Sequence, residues 1–158
     1  MNVFVLDIDT TKCAEYHNDK HCVKMILETA QLLCGVHWLC GVQAPYKLTH
    51  KNHPCSIWAR QSMANYNWLL NLGLALCKEY SYRYGKTHKC EAVISWCRSN
   101  TPNIPQNTLT EFPQAMPEQY KSESAVTAYR NYYLGEKVSF CKWTKRDIPE
   151  WFKSAKNG

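Results

Sequence analysis

The sequence predicts a mainly α fold, a single compact helical domain over residues 1–158 with about four main helices, a long proline-rich loop and at most a short N-terminal strand. Three observations lead to this prediction. Apolar residues recur at helical spacing over long stretches of the chain. The length of 158 residues is typical of a single domain. Four of the seven prolines fall between residues 100 and 120, where no periodic pattern exists.

Two long helices are predicted first. Asp9, Thr10 and Thr11 offer N-caps for a helix from about Lys12 to Leu39, which Gly41 and Pro45 close. Pro54 suits the first turn of a second helix, which runs to Tyr84 and is closed by Gly85.

Shorter elements complete the prediction. A third helix spans about His88 to Arg98 and a fourth, capped by Ser124, about Ser124 to Trp143. The run Val3 to Leu6 is either a buried strand or an extended arm. The stretch from Asn100 to Tyr120 is a loop of a length that is usually functional or mobile. Trp151 and Phe152 should pack back onto the body.

Composition limits the classes of function. Nineteen basic and 13 acidic residues give a net charge of +6, and residues 120–158 contribute +4 of it, which favours a polyanionic partner. No apolar run approaches the ~18 residues of a membrane span, and Asp7 and Asp9 stand where a signal peptide would be cationic. We therefore expect a cytoplasmic monomer, in the host cytoplasm if the protein is viral.

Cysteine and histidine clusters raise the question of metal binding. The nine cysteines are odd in number and include no C-x-x-C pair, so free thiols are expected. Neither Cys34/His37/Cys40 nor His50/His53/Cys55 has the paired spacing of a structural zinc site. We expect no metal and no cofactor.

The first long helix has two contrasting faces. The predicted core face carries Val23, Ile26, Ala30, Leu33 and His37 at spacings of three and four. The opposite face carries a polar stripe, which we define as His17, His21, Lys24, Glu28 and Gln31.

Two interpretations of the polar stripe stay open at this point. It is either a solvated face, supported by the i,i+4 pair of Lys24 and Glu28, or a functional site. Its mixture of imidazole, ammonium and carboxylate groups favours the second. His21 and Glu28 are two turns, roughly 10 Å, apart, so a ligand between them could be held from both ends. An amine beside a carboxylate suits glycosyl chemistry, because the amine attacks a sugar carbon while the carboxylate stabilises the cationic sugar or moves protons.

Further cations and aromatics suit a nucleic-acid or nucleotide partner. Lys51 and His53 precede a helix N-terminus, where either a phosphate binds or His53 and Asn52 merely cap the helix. Tyrosines that alternate with cations suit phosphate contacts and base stacking, although packing at the rim of the core explains them equally well. The residues expected to contact substrate or DNA are Lys20, His17, Lys51, Asn52, His53, Arg60, Arg83, Lys86, Tyr129 and Arg130.

Several motifs are similar to those of a family of small phage and bacterial proteins. They are Asp19-Lys20-His21, Glu28, Asn52-His53-Pro54-Cys55, Trp58, Tyr82-Arg83-Tyr84-Gly85-Lys86, Gln114-Ala115-Met116-Pro117, Tyr120 and Ala128-Tyr129-Arg130. The combination of Asp19-Lys20-His21 with Glu28 seven residues later also resembles the first helix of the pyrimidine-dimer DNA glycosylases of the phage endonuclease V type.

The second resemblance implies a compact helical enzyme that cuts the glycosidic bond at ultraviolet-induced pyrimidine dimers and then nicks the backbone through an imine. Glu28 would be the catalytic carboxylate, and His21 would position substrate or contact phosphate. In that family an N-terminal α-amine, exposed by removal of methionine, is the nucleophile. Here Asn2 is too large for efficient removal, so the amine of Met1, or Lys20 or Lys24, would have to serve.

The leading hypothesis is a DNA glycosylase that acts on damaged or modified pyrimidines, possesses AP lyase activity where an amine is available, and has Glu28, His21 and Lys24 as catalytic residues. Two alternatives remain at this stage. One is an enzyme that modifies or hydrolyses a free nucleotide, and the other is a non-catalytic, phage-type interaction protein.

Overall fold

The computed structural model describes residues 1–137 and 141–157, and every regular element in this part of the chain is helical. The seven α-helices are α1 (Thr10–Tyr16), α2 (Asp19–Leu39), α3 (Pro54–Gln61), α4 (Met63–Tyr84), α5 (Glu91–Ser99), α6 (Ala125–Tyr132) and α7 (Glu150–Asn157). The mainly α prediction is confirmed. None of the helices in the described part of the chain is both long and apolar enough to cross a bilayer.

The first predicted helix is in fact two helices, α1 and α2. The single helix from Lys12 to Leu39 is wrong because His17 and Asn18 both adopt extended backbone angles between them. The Asn18 side chain accepts the N–H of His21 at 2.9 Å and so begins a new helix. Asn18 followed by Asp19 is a signal for a helix N-terminus. The helical spacing of polar and apolar residues continues through these positions, so the spacing alone does not show the break.

The second predicted helix is also divided. Ser62, with φ −156° and ψ 156°, separates α3 from α4 and accepts the N–H of Asn65 at 3.1 Å. The N–H of Met63, which has no partner within its helix, donates to the carbonyl of Pro105 at 2.8 Å. A backbone segment from the proline-rich loop therefore fills the break.

The remaining elements follow the prediction with shifted ends. Helix α5 begins at Glu91 instead of His88, and Ser124 caps α6 as predicted. The predicted end of the fourth helix at Trp143 is wrong: after α6 a π-helical turn spans Tyr133–Lys137, residues 138–140 lie outside the described residues, and Trp143 is not helical. The Trp143 indole instead donates to the carbonyl of Tyr16 at 2.8 Å, which docks this segment on α1.

Helices α2 and α4 pack against each other at the centre, and α1, α3 and α5 pack around them. Ile26, Ala30, Leu33 and His37 are buried as predicted. Val23 is 40 % exposed, so its place on the predicted core face is wrong. On α3 and α4, Trp58, Trp68, Leu69, Leu72 and Leu76 are buried, whereas Ile57 is 38 % exposed. Trp151 and Phe152 pack onto Tyr16, Tyr133 and Trp143, as the tail was predicted to do.

The first six residues form a buried extended arm and no strand. Val5 and Leu6 are essentially inaccessible, and the Phe4 ring stacks on His21 at a centroid distance of 4.2 Å. The carbonyl of Leu6 accepts the Nε–H of Arg130 in α6 at 2.9 Å. The arm therefore lies between α2 and α6 and covers His21 and Glu28 of the polar stripe.

The proline-rich loop is a strap across the junction of α3 and α4. Thr110 exchanges hydrogen bonds with Asn65, and the Phe112 ring lies 4.6 Å from Trp68 and 5.1 Å from Trp58. The strap then brings Ala115 to the start of the N-terminal arm. Ordered contacts at several points fix this segment against the helical body.

Candidate active site

A cleft of about 420 Å³ opens where the N-terminal arm, α2, the start of α3, the strap and the end of α6 meet. It is lined by Met1, Asn2, Phe4, His21, Lys24, Met25, Glu28, His53, Ala115 and Tyr132. Three members of the polar stripe therefore border a concave surface. A fully solvated helix face, the alternative interpretation of the stripe, does not describe His21 and Glu28, which are 7 % and 6 % exposed.

Glu28 is held by the beginning of the chain. Its Oε1 accepts the N–H of Asn2 at 2.9 Å and lies 3.3 Å from the α-ammonium nitrogen of Met1. Its Oε2 is buried and has no hydrogen-bond partner within the described residues, and Lys24 Nζ approaches it at 3.9 Å. A buried carboxylate oxygen without a partner is unusual in a folded protein, so this oxygen is suited to a cationic group that enters the cleft.

His21 is oriented by Tyr133 from beneath the cleft. Its Nδ1 lies 2.7 Å from the Tyr133 hydroxyl, which accepts the backbone N–H of Asn18 at 3.3 Å. Burial holds the pKa of Tyr133 well above its usual value, so the hydroxyl keeps its proton. Nδ1 of His21 accepts this proton in the tautomer that carries the ring proton on Nε2.

The Asn2 side chain anchors the start of the arm, and His53 lies at the start of α3. The Asn2 amide donates to the carbonyl of Ala115 at 2.9 Å and accepts the hydroxyl proton of Tyr129 at 2.9 Å. His53 caps α3, since its Nδ1 accepts the N–H of Cys55 at 3.0 Å. Burial, the nearby Met1 ammonium group and His50 lower the pKa of His53, so the ring is neutral at neutral pH.

A comparison with protein families gives a match over the N-terminal part of the chain. The profile of the family described as "Pyrimidine dimer DNA glycosylase" matches residues 1–92, more than half of the chain. The chain belongs to this family. The predicted resemblance is thereby confirmed, and the matched segment contains Glu28, His21, Lys24 and His53. Searches of curated proteins and of solved structures gave no significant match.

Several residues predicted to contact DNA, and the predicted catalytic residue Lys24, lie on the surface. Lys20, Lys24, Lys51, Asn52 and Lys86 are exposed, and Lys24 lines the cleft itself. Arg60 is half-buried, and its Nη1 donates to the carbonyl of Lys51 at 2.6 Å, so it supports the loop before His53. The exposed lysines nearest the cleft are the groups available to phosphates.

Other residues predicted to contact DNA point into the protein instead. His17 is fully buried, bonds to the carbonyl of Cys13 at 2.7 Å, and has a pKa that burial lowers to about 4, so it is an uncharged packing group. Arg83 has a fully buried side chain that pairs with Glu79. Tyr129 is buried beside Asn2. Arg130 pairs with Asp7 at 3.3 Å and lies over the Trp151 ring.

The sequence prediction missed three contributors to the site, Asn2 as an anchor, Tyr133 as the partner of His21, and Tyr132 as part of the cleft wall. Tyr129, Tyr132 and Tyr133 are spaced by three and four residues, which is a signal for one aromatic helix face. Nothing in the sequence indicates which element that face meets.

The residues considered for zinc binding have other partners. His37 Nε2 lies 2.8 Å from the Tyr66 hydroxyl, and His53 caps α3. In residues 1–137 and 141–157, no three histidine, cysteine, aspartate or glutamate side chains converge on a point that could hold a metal ion. The eight cysteines of residues 1–137 carry free thiols.

Proposed function

We propose that this chain is a DNA glycosylase that cuts the glycosidic bond of damaged pyrimidines in DNA, with Glu28 as the catalytic carboxylate and the α-amine of Met1 as the nucleophile. One observation carries the proposal: the α-amine and the carboxylate of Glu28 lie 3.3 Å apart in a cleft. Membership of the pyrimidine dimer DNA glycosylase family supplies the substrate class.

The geometry supports the α-amine over the two lysines. Lys24 Nζ lies 3.9 Å from Glu28 Oε2 at the end of a side chain that is 70 % exposed, and Lys20 does not line the cleft. The Met1 amine, in contrast, is attached to an arm fixed by Asn2. A chain without Met1 would present the Asn2 nitrogen, which lies 2.9 Å from the same carboxylate oxygen.

The proposed reaction begins when the amine gives up a proton, for which the adjacent Glu28 carboxylate is the acceptor. The nitrogen then attacks C1′ of the damaged nucleotide, the bond from C1′ to the pyrimidine nitrogen breaks, and the base leaves with the electron pair. The buried carboxylate stabilises the positive charge that develops on the sugar. In this proposal, His21 and Lys24 contact the sugar or its phosphates.

Ring opening of the sugar then gives an imine between the α-nitrogen and C1′. Removal of a proton from C2′ expels the 3′ phosphate by β-elimination and nicks the strand, which is the proposed AP lyase activity. Water hydrolyses the imine and releases the enzyme. Borohydride reduces the C=N bond of this imine to an amine, which leaves the protein and the DNA joined in a stable covalent adduct.

Borohydride trapping tests the nucleophile directly. The protein is incubated with an ultraviolet-irradiated duplex or with a duplex that contains an abasic site, reduced, and digested with trypsin. We expect the adduct on the peptide from Met1 to Lys12, attached to the α-nitrogen. Lys20→Arg and Lys24→Arg are matched controls, which should trap normally because they keep the charge and remove only the lysine amine.

Two results would contradict the proposal. An adduct on Lys20 or Lys24 would appear as a missed tryptic cleavage. It would show that the α-amine is not the nucleophile. Absence of glycosidic bond cleavage on the irradiated duplex, together with absence of strand cleavage and of an adduct on both duplexes, would reject the proposed glycosylase activity.

DNA binding should depend steeply on salt. Each phosphate contact lowers the slope of log K against log salt by about 0.9, so Lys24→Gln and Lys51→Gln should each reduce the magnitude of the slope by about one. Lys78→Gln is the control, since Lys78 lines a separate depression with Glu15 and Arg146. Fluorescence anisotropy with a labelled duplex measures the slope. A salt-independent affinity would instead favour an enzyme of free nucleotides.

A further inference from the structure

Tyr132 differs in its surroundings from the two other tyrosines at the end of α6. Tyr129 is buried, and its hydroxyl holds the Asn2 side chain at 2.9 Å. Tyr133 is also buried, and its hydroxyl lies 2.7 Å from Nδ1 of His21. Tyr132, in contrast, is half-buried and lines the cleft. Its side chain therefore borders the space that a substrate enters.

Two aromatic rings line the cleft, those of Phe4 and Tyr132, and we call them the aromatic wall. Their planes are nearly parallel, at 18°, and their centroids lie 6.0 Å apart. The Tyr120 ring contacts Tyr132 at 5.4 Å, and the Tyr120 hydroxyl donates to Glu136 at 3.1 Å. A Cβ at Gly135 would overlap the Tyr120 ring, so this arrangement requires glycine at position 135. Contacts from the arm, the strap and the turn after α6 thus hold the aromatic wall in place.

The aromatic wall lies in the same cleft as the groups proposed to act on the sugar. The Met1 amine and Glu28 are paired in this cleft. Phe4 stacks on His21, which precedes Glu28 by two turns of α2, about 10 Å. A sugar whose C1′ lies at the amine carries its pyrimidine within the same cleft of about 420 Å³, and the aromatic wall offers that base a surface for stacking.

We propose that Tyr132 stacks on the damaged pyrimidine and so gives the enzyme selectivity for a nucleotide that still carries its base. This inference rests on the proposed function, in which Glu28 and the Met1 amine act on the sugar of that pyrimidine. A base that enters the cleft has left the base stack of the duplex, and contact with an aromatic ring replaces part of the stacking that it loses. An abasic site has no base, so the Tyr132 ring contributes nothing to the recognition of that site.

Two duplexes separate base recognition from the chemistry on the sugar, one with a single pyrimidine dimer and one with an abasic site. Strand cleavage is measured in single turnover with subsaturating enzyme. We expect Tyr132→Leu to cut the dimer duplex about 5- to 100-fold more slowly, the range for the loss of one stacking contact, and to cut the abasic duplex at an unchanged rate. Tyr132→Phe keeps the ring and should keep both rates. Tyr84→Leu is the matched control, because Tyr84 is 37 % exposed and lies outside the described lining of the cleft.

Three results of this comparison overturn the inference. Equal losses on the two duplexes in Tyr132→Leu would show that the residue acts through the fold or through the position of the amine. Normal rates on both duplexes would show that the ring does not contact the base. A loss in Tyr132→Phe as large as that in Tyr132→Leu would assign the effect to the hydroxyl group.

Binding gives a readout that needs no chemistry. In a Glu28→Gln background, which suppresses turnover, fluorescence anisotropy measures the affinity for the dimer duplex relative to that for the abasic duplex. We expect Tyr132→Leu to lower this ratio by about 5- to 100-fold, and an unchanged ratio overturns the inference. If the unsubstituted protein cuts neither duplex, the proposed function fails, while the ratio of affinities still decides whether Tyr132 contacts the base.

Discussion

Glu28→Gln is expected to lower the rate of glycosidic bond cleavage by about 10²- to 10⁴-fold, the range found when a positioned acid–base group is removed. The substitution keeps the volume and an oxygen that can accept the Asn2 N–H, so the fold and the arm should persist. It removes the charge that accepts the amine proton and stabilises the cationic sugar. Single-turnover assays on an irradiated duplex measure the effect, since they report chemistry without product release.

Glu118→Gln is the matched control for Glu28→Gln. It makes the same chemical change at a side chain that is 87 % exposed and pairs with Lys121. We expect this control to be as active as the unsubstituted protein. A normal single-turnover rate in Glu28→Gln would remove the carboxylate from the mechanism. A parallel loss of melting temperature would show that the substitution acts through folding.

The helices could be predicted because apolar periodicity and end signals are local. The breaks at His17–Asn18 and at Ser62 could not, because the period continues through them and the interactions that stabilise each break come from elsewhere. At Ser62, for example, the carbonyl of Pro105 supplies the acceptor for Met63. Val23 was misassigned for a related reason, since a helix in the middle of a domain is covered on several sides and one face does not define the core.

The candidate site could be predicted in part for the same reason. His21, Lys24 and Glu28 lie on one helix at spacings of three and four, so their proximity follows from helix geometry. The amine that faces them comes from a contact between residues 1 and 28, and the anchor of Asn2 comes from residues 115 and 129. Such long-range contacts depend on how the arm packs, and the spacing of polar and apolar residues in the sequence does not predict that packing. For Arg83, the sequence shows a cation beside tyrosines, and only the packing shows that it is buried.

The largest expected effect on stability comes from the carboxylate that pairs with Arg83. Glu79 is 4 % exposed, and its Oε2 accepts hydrogen bonds from Arg83 Nε at 2.8 Å and Arg146 Nε at 3.0 Å. It therefore joins α4 to the segment before α7. Arg83 also pairs with Asp19 at 3.0 Å, so it keeps one acidic partner when Glu79 is changed.

Glu79→Gln should lower the free energy of unfolding by about 3 kcal/mol, the lower end of the cost of leaving a buried charge without its partner. Glu118→Gln breaks the shorter Lys121 pair at 2.6 Å and should cost at most about 1 kcal/mol, because that pair is exposed. Urea unfolding at pH 7, followed by circular dichroism, measures both. Equal costs for the two substitutions would show that burial does not set the strength of these pairs.

The effect of Glu79→Gln should also depend on pH. Burial alone would raise the pKa of Glu79, but hydrogen bonds from Arg146 and Arg83 outweigh it and lower the pKa below the usual 4.5. The unfolded chain therefore takes up the proton first as the pH falls, and the stabilisation, full at pH 7, is lost as the pH falls through the lowered pKa. The difference between the unsubstituted protein and Glu79→Gln should begin to narrow near pH 4.5, as measured by urea unfolding across the acid range. A difference that stays constant with pH would mean that Glu79 acts through packing, with no contribution from its charge.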